Sequence, residues 1–297
     1  MKIDILDLNF LNKSNTIAAF LIQDENIKVL IETGPFSTIR RCERALNELG
    51  VEVEEIDAVL LTHIHFDHAG AAWYFAQKGA QIYVHPMGVK HLQDPHRLLL
   101  SAKRIYKDRM DLLWGRIEAI KPNNIEAIKH RQRIPLGRLT FIAHHTPGHA
   151  KHHIAWQIED FLFTGDVAGV AIESEIVVPP CPPPDIQLED WKSSIDLMRD
   201  LNPKALFLTH FGKHSQVSEL LEKLEEELFK WADWIYMNGM NTNEQEKLVA
   251  NFVKWTKGRL IEKGLSNSDI DRYMKANPPE MSVSGLQRYW TKTLAHN

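Results

Sequence analysis

Between residues 56 and 70 the chain runs Ile-Asp-Ala-Val-Leu-Leu-Thr-His-Ile-His-Phe-Asp-His-Ala-Gly, an apolar stretch that ends in three histidines and an aspartate within six residues. Ile56 to Thr62 has the length and composition of a buried strand. Side chains alternate in extended chain, so His63 and His65 project to the same side. Asp67 and His68 follow as the chain turns into a helix expected over 69–78. Four ligand-type side chains then converge on a small volume. Imidazole nitrogens and carboxylate oxygens together suit zinc and other borderline divalent ions.

The surrounding elements say what kind of fold carries this stretch. Residues 3–8, 17–23 and 28–31 read as strands, followed by a helix from Ser37, as N-cap, to Leu49, with Gly50 in the C′ position. Residues 81–84 return to strand. Strands first, then strand and helix in alternation, favour a sheet covered by helices, an α+β class, over a bundle or a sandwich of sheets alone. Residues 88–121 read as one long helical stretch with eight Lys/Arg against four acids. That is either a solvated helix face or a lid that favours an anionic substrate. Strands are expected again at 139–145, 153–158 and 161–164, then a stiff loop at Pro179-Pro180-Cys181-Pro182-Pro183-Pro184, a helix at 188–200 and a strand at 204–209. From Ser215 the texture changes: Val217, Leu220, Leu221, Leu224, Leu228 and Trp231 fall at helical spacing. Further helices are expected near 243–263 and 282–294. Residues 1–214 thus form the expected catalytic domain and 215–297 a helical C-terminal region, whose Trp231, Trp234 and Tyr236 suit either core packing or a homodimer interface.

Composition excludes several classes. The formal net charge of −4 over 297 residues gives no nucleic-acid footprint. Two separated cysteines, Cys42 and Cys181, make no disulfide framework. With neither an apolar leader nor a membrane-length apolar run in the sequence, a cytoplasmic protein is expected.

Three later motifs complete the histidine cluster: Thr146-Pro147-Gly148-His149-Ala150, Phe163-Thr164-Gly165-Asp166 and Leu208-Thr209-His210-Phe211-Gly212. Each places a His or Asp just past a strand, and such ends gather at one rim of a sheet. The set His63-x-His65-x-Asp67-His68, then His149, Asp166 and His210, resembles the metallo-β-lactamase fold superfamily of hydrolases over roughly residues 3–212. The wording around His149 and Asp166 leans towards its glyoxalase II and lactonase-like branches. The resemblance implies a four-layer αβ/βα sandwich with two divalent metal ions at one edge, zinc first, with iron and manganese open. It implies that His63, His65 and His149 hold one ion, that Asp67, His68 and His210 hold the other, and that Asp166 bridges them. Two positions depart from the pattern. Glu32-Thr33-Gly34 stands where many members carry Asp-Thr-Gly, and His152 is unusual; a structural role is expected for it and for His153, and for His85, His144 and His145 a structural role or one supporting the ligands, not ligation itself.

The reaction expected from the resemblance is attack by a bridging hydroxide on a small ester, thioester or lactone, with Asp67 and Asp166 as the catalytic carboxylates. Phosphodiester cleavage, as in nucleases of this fold, and iron-dependent redox chemistry of the persulfide dioxygenase type are the alternatives. A non-catalytic module is disfavoured because all seven ligand positions are filled.

Overall fold

A computed structural model describes residues 1–173, 176–240, 242 and 244–295. Among these residues two six-stranded sheets lie face to face. The first contains β1 (Lys2–Asp7), β2 (Ala18–Asp24), β3 (Ile27–Ile31), β4 (Ala58–Leu60), β5 (Gln81–Val84) and β6 (Ile125–Ala127), in that spatial order. β1, β2 and β3 pair antiparallel, and β3 to β6 run parallel. The second sheet holds β7 (Arg133–Leu136), β8 (Leu139–His145), β9 (Ile154–Ile158), β10 (Phe161–Phe163), β11 (Ala205–Leu208) and β12 (Gly212–His214). Its spatial order is β12-β11-β10-β9-β8-β7, and only β10 and β11 are parallel.

The period-two alternation of a strand builds the layers. In β2, Ala18, Phe20 and Ile22 point between the sheets, while Ala19 and Leu21 point outward, and all five are buried. Phe20 meets Phe163 and Phe207 of the other sheet edge-on, at 5.2 and 5.7 Å between ring centres. The outer face of the first sheet packs on α1 (Ile39–Glu48), α2 (Phe66–Ala69), α3 (Ala72–Gln77) and the short helices α4 (Pro86–Gln93), α5 (His96–Tyr106) and α6 (Met110–Leu113). The outer face of the second packs on α7 (Leu188–Leu201), α8 (Val217–Gly239), α9 (Gln245–Glu262), α10 (Asn267–Ala276) and α11 (Pro279–Ala295). Helix, sheet, sheet, helix is the four-layer α+β arrangement expected. No described helix is long and apolar enough to cross a membrane.

The element map differs from expectation in places, each with a cause. The stretch 88–121 is three helices rather than one: Pro95 interrupts it, and Gly115, at φ +66°, turns the chain away after α6. Ser37 does not cap α1; its hydroxyl donates to the Leu113 carbonyl at 2.7 Å, and a short 3₁₀ turn precedes the helix. The helix at 69–78 is broken at Gly70 into α2 and α3. The strand at 56–62 pairs only over Ala58–Leu60, which leaves Thr62 and His63 free to face the site. The helix expected from 243 begins, among the described residues, at Gln245, residue 243 itself lying outside them; α10 has no counterpart among the expected elements.

Candidate metal centre

Five strand ends open on one rim. Glu32 follows β3, Thr62 and His63 follow β4, His149 lies in the loop beyond β8, Asp166 follows β10, and His210 follows β11. The seven residues expected as ligands, spread over nearly 150 positions, come together there. His65 Nδ1 lies 2.9 Å from His63 Nε2 and 3.1 Å from His149 Nε2. On the other side, Asp67 Oδ2 lies 3.7 Å from His68 Nε2 and 3.6 Å from His210 Nε2. Each trio gathers its donor atoms closely enough to hold one ion. Asp166 stands between them, with Oδ2 at 3.3 Å from His149 Nε2 and Oδ1 at 3.2 Å from His68 Nε2 and 3.4 Å from His210 Nε2.

Four of the five imidazoles are aimed by the nitrogen that faces away from the cluster, since a hydrogen bond there fixes tautomer and ring orientation. His149 Nδ1 meets the Pro180 carbonyl at 2.7 Å, and His210 Nδ1 meets the Thr16 carbonyl at 2.6 Å. His68 Nδ1 meets the Glu32 carboxylate at 2.8 Å, and His63 Nδ1 meets the Thr62 hydroxyl at 3.0 Å. Glu32 also accepts from the Thr62 hydroxyl, from the Thr62 amide at 3.3 Å and from the Thr209 hydroxyl at 3.3 Å. It is fully buried, at φ +64°. The sequence marks Glu32 as a departure; its four donors, on the three residues Thr62, His68 and Thr209, are visible only in three dimensions.

The electrostatics divide the donor set: burial opposes protonation of His68 and His210, but the Asp166 and Asp67 carboxylates overcome it and raise both above the ordinary histidine range. Burial, then the neighbouring imidazoles, keep His63 and His65 well below the ordinary histidine range, so they are neutral and offer lone pairs. Burial opposes ionisation of Asp166, but His68, His149 and His210 overcome it and hold the carboxyl well below its usual range. The same contest brings Asp67 to about 2, with His68 and His210 outweighing burial. Among the described buried polar atoms, His68 Nε2 and Asp166 Oδ1 face each other at 3.2 Å without a well-directed hydrogen bond. Buried polar atoms that are poorly satisfied are costly unless something binds them. Two carboxylates and several neutral imidazoles around such atoms are the donors a divalent cation takes, so the residues present fit a metal centre.

His65 and Asp67 are partly exposed, while His63, His68, His149, Asp166 and His210 are buried, so the opening lies on the His65–Asp67 side. For Tyr106, at the end of α5, burial, then the Asp67 and Glu280 charges, push the phenol far up. Spacing gave no hint of this residue. Of the remaining histidines, His153 bonds the Thr146 hydroxyl at 2.9 Å, and His144 bonds Gln157 at 2.8 Å. His145 bonds the Ile128 carbonyl at 2.9 Å, and His85 caps α4. The His153 ring also stacks on His63 at 5.0 Å between ring centres, and its buried Nε2 has no hydrogen-bond partner. His152 lies against His63 and His65, with ring centres at 6.1 and 5.8 Å, and its buried Nδ1 has no hydrogen-bond partner.

Comparison with known proteins agrees with this architecture. A metallo-beta-lactamase fold-containing protein, ST1585 of Sulfurisphaera tokodaii, is 29% identical over 164 residues, 54% of this chain. That match spans 62% of the relative's own length. The crystal structure of ST1585 superposes with a TM-score of 0.68 at 20% identity, covering 96% of this chain and 98% of that one. The metallo-beta-lactamase family protein TTHA1429 of Thermus thermophilus gives a TM-score of 0.74 at 18% identity, over 99% of this chain and 93% of its own. Both superpositions take in the C-terminal helices, and at such identities they speak for the fold alone. Residues 15–210 match the family model described as the metallo-beta-lactamase superfamily, a span that runs from the loop before β2 to His210 itself. With that match laid over the two sheets and the histidine–aspartate rim, the chain is a member of the metallo-beta-lactamase superfamily.

Proposed function

We propose that this protein is a dinuclear metal-dependent hydrolase of small carboxylic esters, thioesters or lactones, with zinc as its first-choice metal. The observation that carries the reading is the pair of three-donor sets on either side of one shared buried carboxylate, Asp166. In this reading His63, His65 and His149 hold one ion, Asp67, His68 and His210 hold the other, and Asp166 spans the two. The chemistry that divalent ions supply in such a site is Lewis-acid polarisation of a carbonyl and a water that ionises near neutral pH. The chain's own groups do the rest. Neutral His63, His65 and His149 present lone pairs, and Asp166 fixes the separation of the two sets. Asp67, ionised and partly exposed at the opening, accepts a hydrogen from the attacking water and orients its lone pair towards the substrate. The buried walls keep bulk water from competing for these contacts. Exposed Arg97, Lys103, Arg104, Lys107 and Arg109 on the α5–α6 segment favour an anionic substrate.

The test is a side-by-side assay of the zinc-loaded protein on carboxylic substrates (thioesters, lactones and aryl esters) and on aryl phosphodiesters, with Asp166→Ala run in parallel. Turnover confined to the carboxylic arm, and lost together with bound metal in Asp166→Ala, is the expected result. Turnover confined to phosphodiesters would overturn the acyl assignment. Full metal occupancy with unchanged rate in Asp166→Ala would overturn the role of Asp166.

A further inference from the structure

The loop carrying Pro179-Pro180-Cys181-Pro182-Pro183-Pro184 is stiff because each proline fixes its own φ, and it is poor in donors because proline has no amide hydrogen. Cys181 owns the one backbone N–H within it. The C-terminal helices take hold of this loop on both sides of residue 180. Asn277, just past α10, donates its Nδ2 hydrogen to the Pro179 carbonyl at 3.0 Å. Ser282, in α11, accepts the Cys181 amide at 3.2 Å. Both side chains are buried, at 4% and 0% exposure. Gly285, one turn further along α11, lies so close that a Cβ there would fall 1.9 Å from the Cys181 carbonyl oxygen. Glycine is a poor helix former, and here it sits inside a helix where no methyl group fits. Between the two held residues is Pro180, whose carbonyl meets His149 Nδ1.

A second grip of the same kind lies nearby. Tyr273 of α10, fully buried, accepts the amides of Ile172 and Glu173, both at 3.0 Å, and donates to the Ile176 carbonyl at 2.6 Å. The residue before this segment, Ala171, bonds the His210 carbonyl through its amide at 2.5 Å. One histidine from each three-donor set therefore leans on backbone that α10 and α11 hold.

We propose that α10 and α11 are a positioning element of the metal centre, in which Asn277 and Ser282 fix the Pro180 carbonyl and so hold His149 in the tautomer and orientation that aim its Nε2 at His65 and Asp166. The inference rests on the reading of His149 as a metal-holding residue. Orienting partners of this kind typically alter metal affinity by about 10- to 100-fold when removed.

The experiment measures zinc affinity by chelator competition, and the visible spectrum of the cobalt-loaded protein, on the full-length chain. The variants are Asn277→Ala, Ser282→Ala, Gly285→Ala, His149→Ala and Leu248→Ala. Leu248 is buried in α9 within the same core cluster but takes no part in these grips, so it reports loss of packing alone. The expected result is one ion bound about 10- to 100-fold more weakly in Asn277→Ala and Ser282→Ala, with an altered cobalt spectrum. Leu248→Ala should keep wild-type affinity despite a lower melting temperature. Wild-type affinity in both loop-gripping variants, or an equal loss in Leu248→Ala, would overturn the inference while leaving the metal centre intact. Retention of both ions by His149→Ala would overturn the reading of His149 and the inference with it.

Discussion

Glu32 concentrates the physics of the site in one side chain. A buried carboxylate is costly unless donors surround it, and Glu32 has Thr62, His68 and Thr209 as partners, drawn from the ends of both sheets. It holds them from a left-handed backbone position that non-glycine residues seldom adopt, and such strain persists where the surroundings over-determine it. Glu32→Gln keeps the shape but replaces one acceptor oxygen by a donor. Each buried donor thereby left unpaired costs about 1–3 kcal/mol. The expected outcome is a lower urea midpoint together with zinc bound about 10- to 100-fold more weakly on the His68 side, by chelator competition. A Gln variant with wild-type midpoint and affinity would reduce Glu32 to a space-filler. The candidate ligands were legible in the sequence because their residue types recur at strand ends with fixed spacing. What orients them was not. The carbonyls of Thr16 and Pro180 have no side-chain signature, and Glu32 meets Thr209 across 177 positions.

At the scale of elements, the run of helices α4–α6 begins at a titratable cap. His85 is the N-cap of α4, and its Nδ1 accepts the Met87 amide at 3.1 Å. An imidazole nitrogen accepts only while unprotonated. Burial, then His145 and His152, lower His85 from 6.5 to about 4. A histidine whose folded value is depressed gives stability that is present above the unfolded value of 6.5 and is lost as the pH falls to and through about 4. Amide protection factors of Met87 and Gly88 should therefore fall between pH 7 and pH 4. In His85→Asn, where the cap acceptor does not titrate, they should stay flat by comparison. Identical profiles in the two proteins would remove His85 as the cause. Legibility at this scale follows burial. The central strands and the long helices stood out by periodicity, whereas β6, β7 and β12 did not. All three are sheet edges of three or four residues. Short strands are common at edges, and an edge admits a proline such as Pro135 that argues against a strand when read in sequence.

For the whole molecule, the question is whether the helices after His214 form a separate unit. Their apolar side chains do not close on themselves. Leu221, Leu224, Leu228, Trp231 and Tyr273 belong to one buried cluster with Leu162, Leu206 and Leu208 of the second sheet and Trp191 of α7. Polar ties cross at the same place, where Lys13 pairs with Asp271 at 2.8 Å and Arg272 with Glu173 at 2.6 Å. Removing the helices would strip one face of the sheet of its cover. Exposing apolar surface costs about 25 cal/mol per Å², so neither part gains by parting from the other. The metal-free protein should accordingly unfold in one calorimetric transition whose van't Hoff and calorimetric enthalpies agree. Two resolved transitions, the first sparing the near-ultraviolet signal of the sheet aromatics, would mean that the helices melt on their own. They would then be a detachable module, joined to the sheets by an interface of the kind found between domains. A single transition ties the stability of the metal rim to α8–α11, so that a core substitution such as Trp231→Ala, about 3–5 kcal/mol in a well-packed site, destabilises the rim as well as the helices.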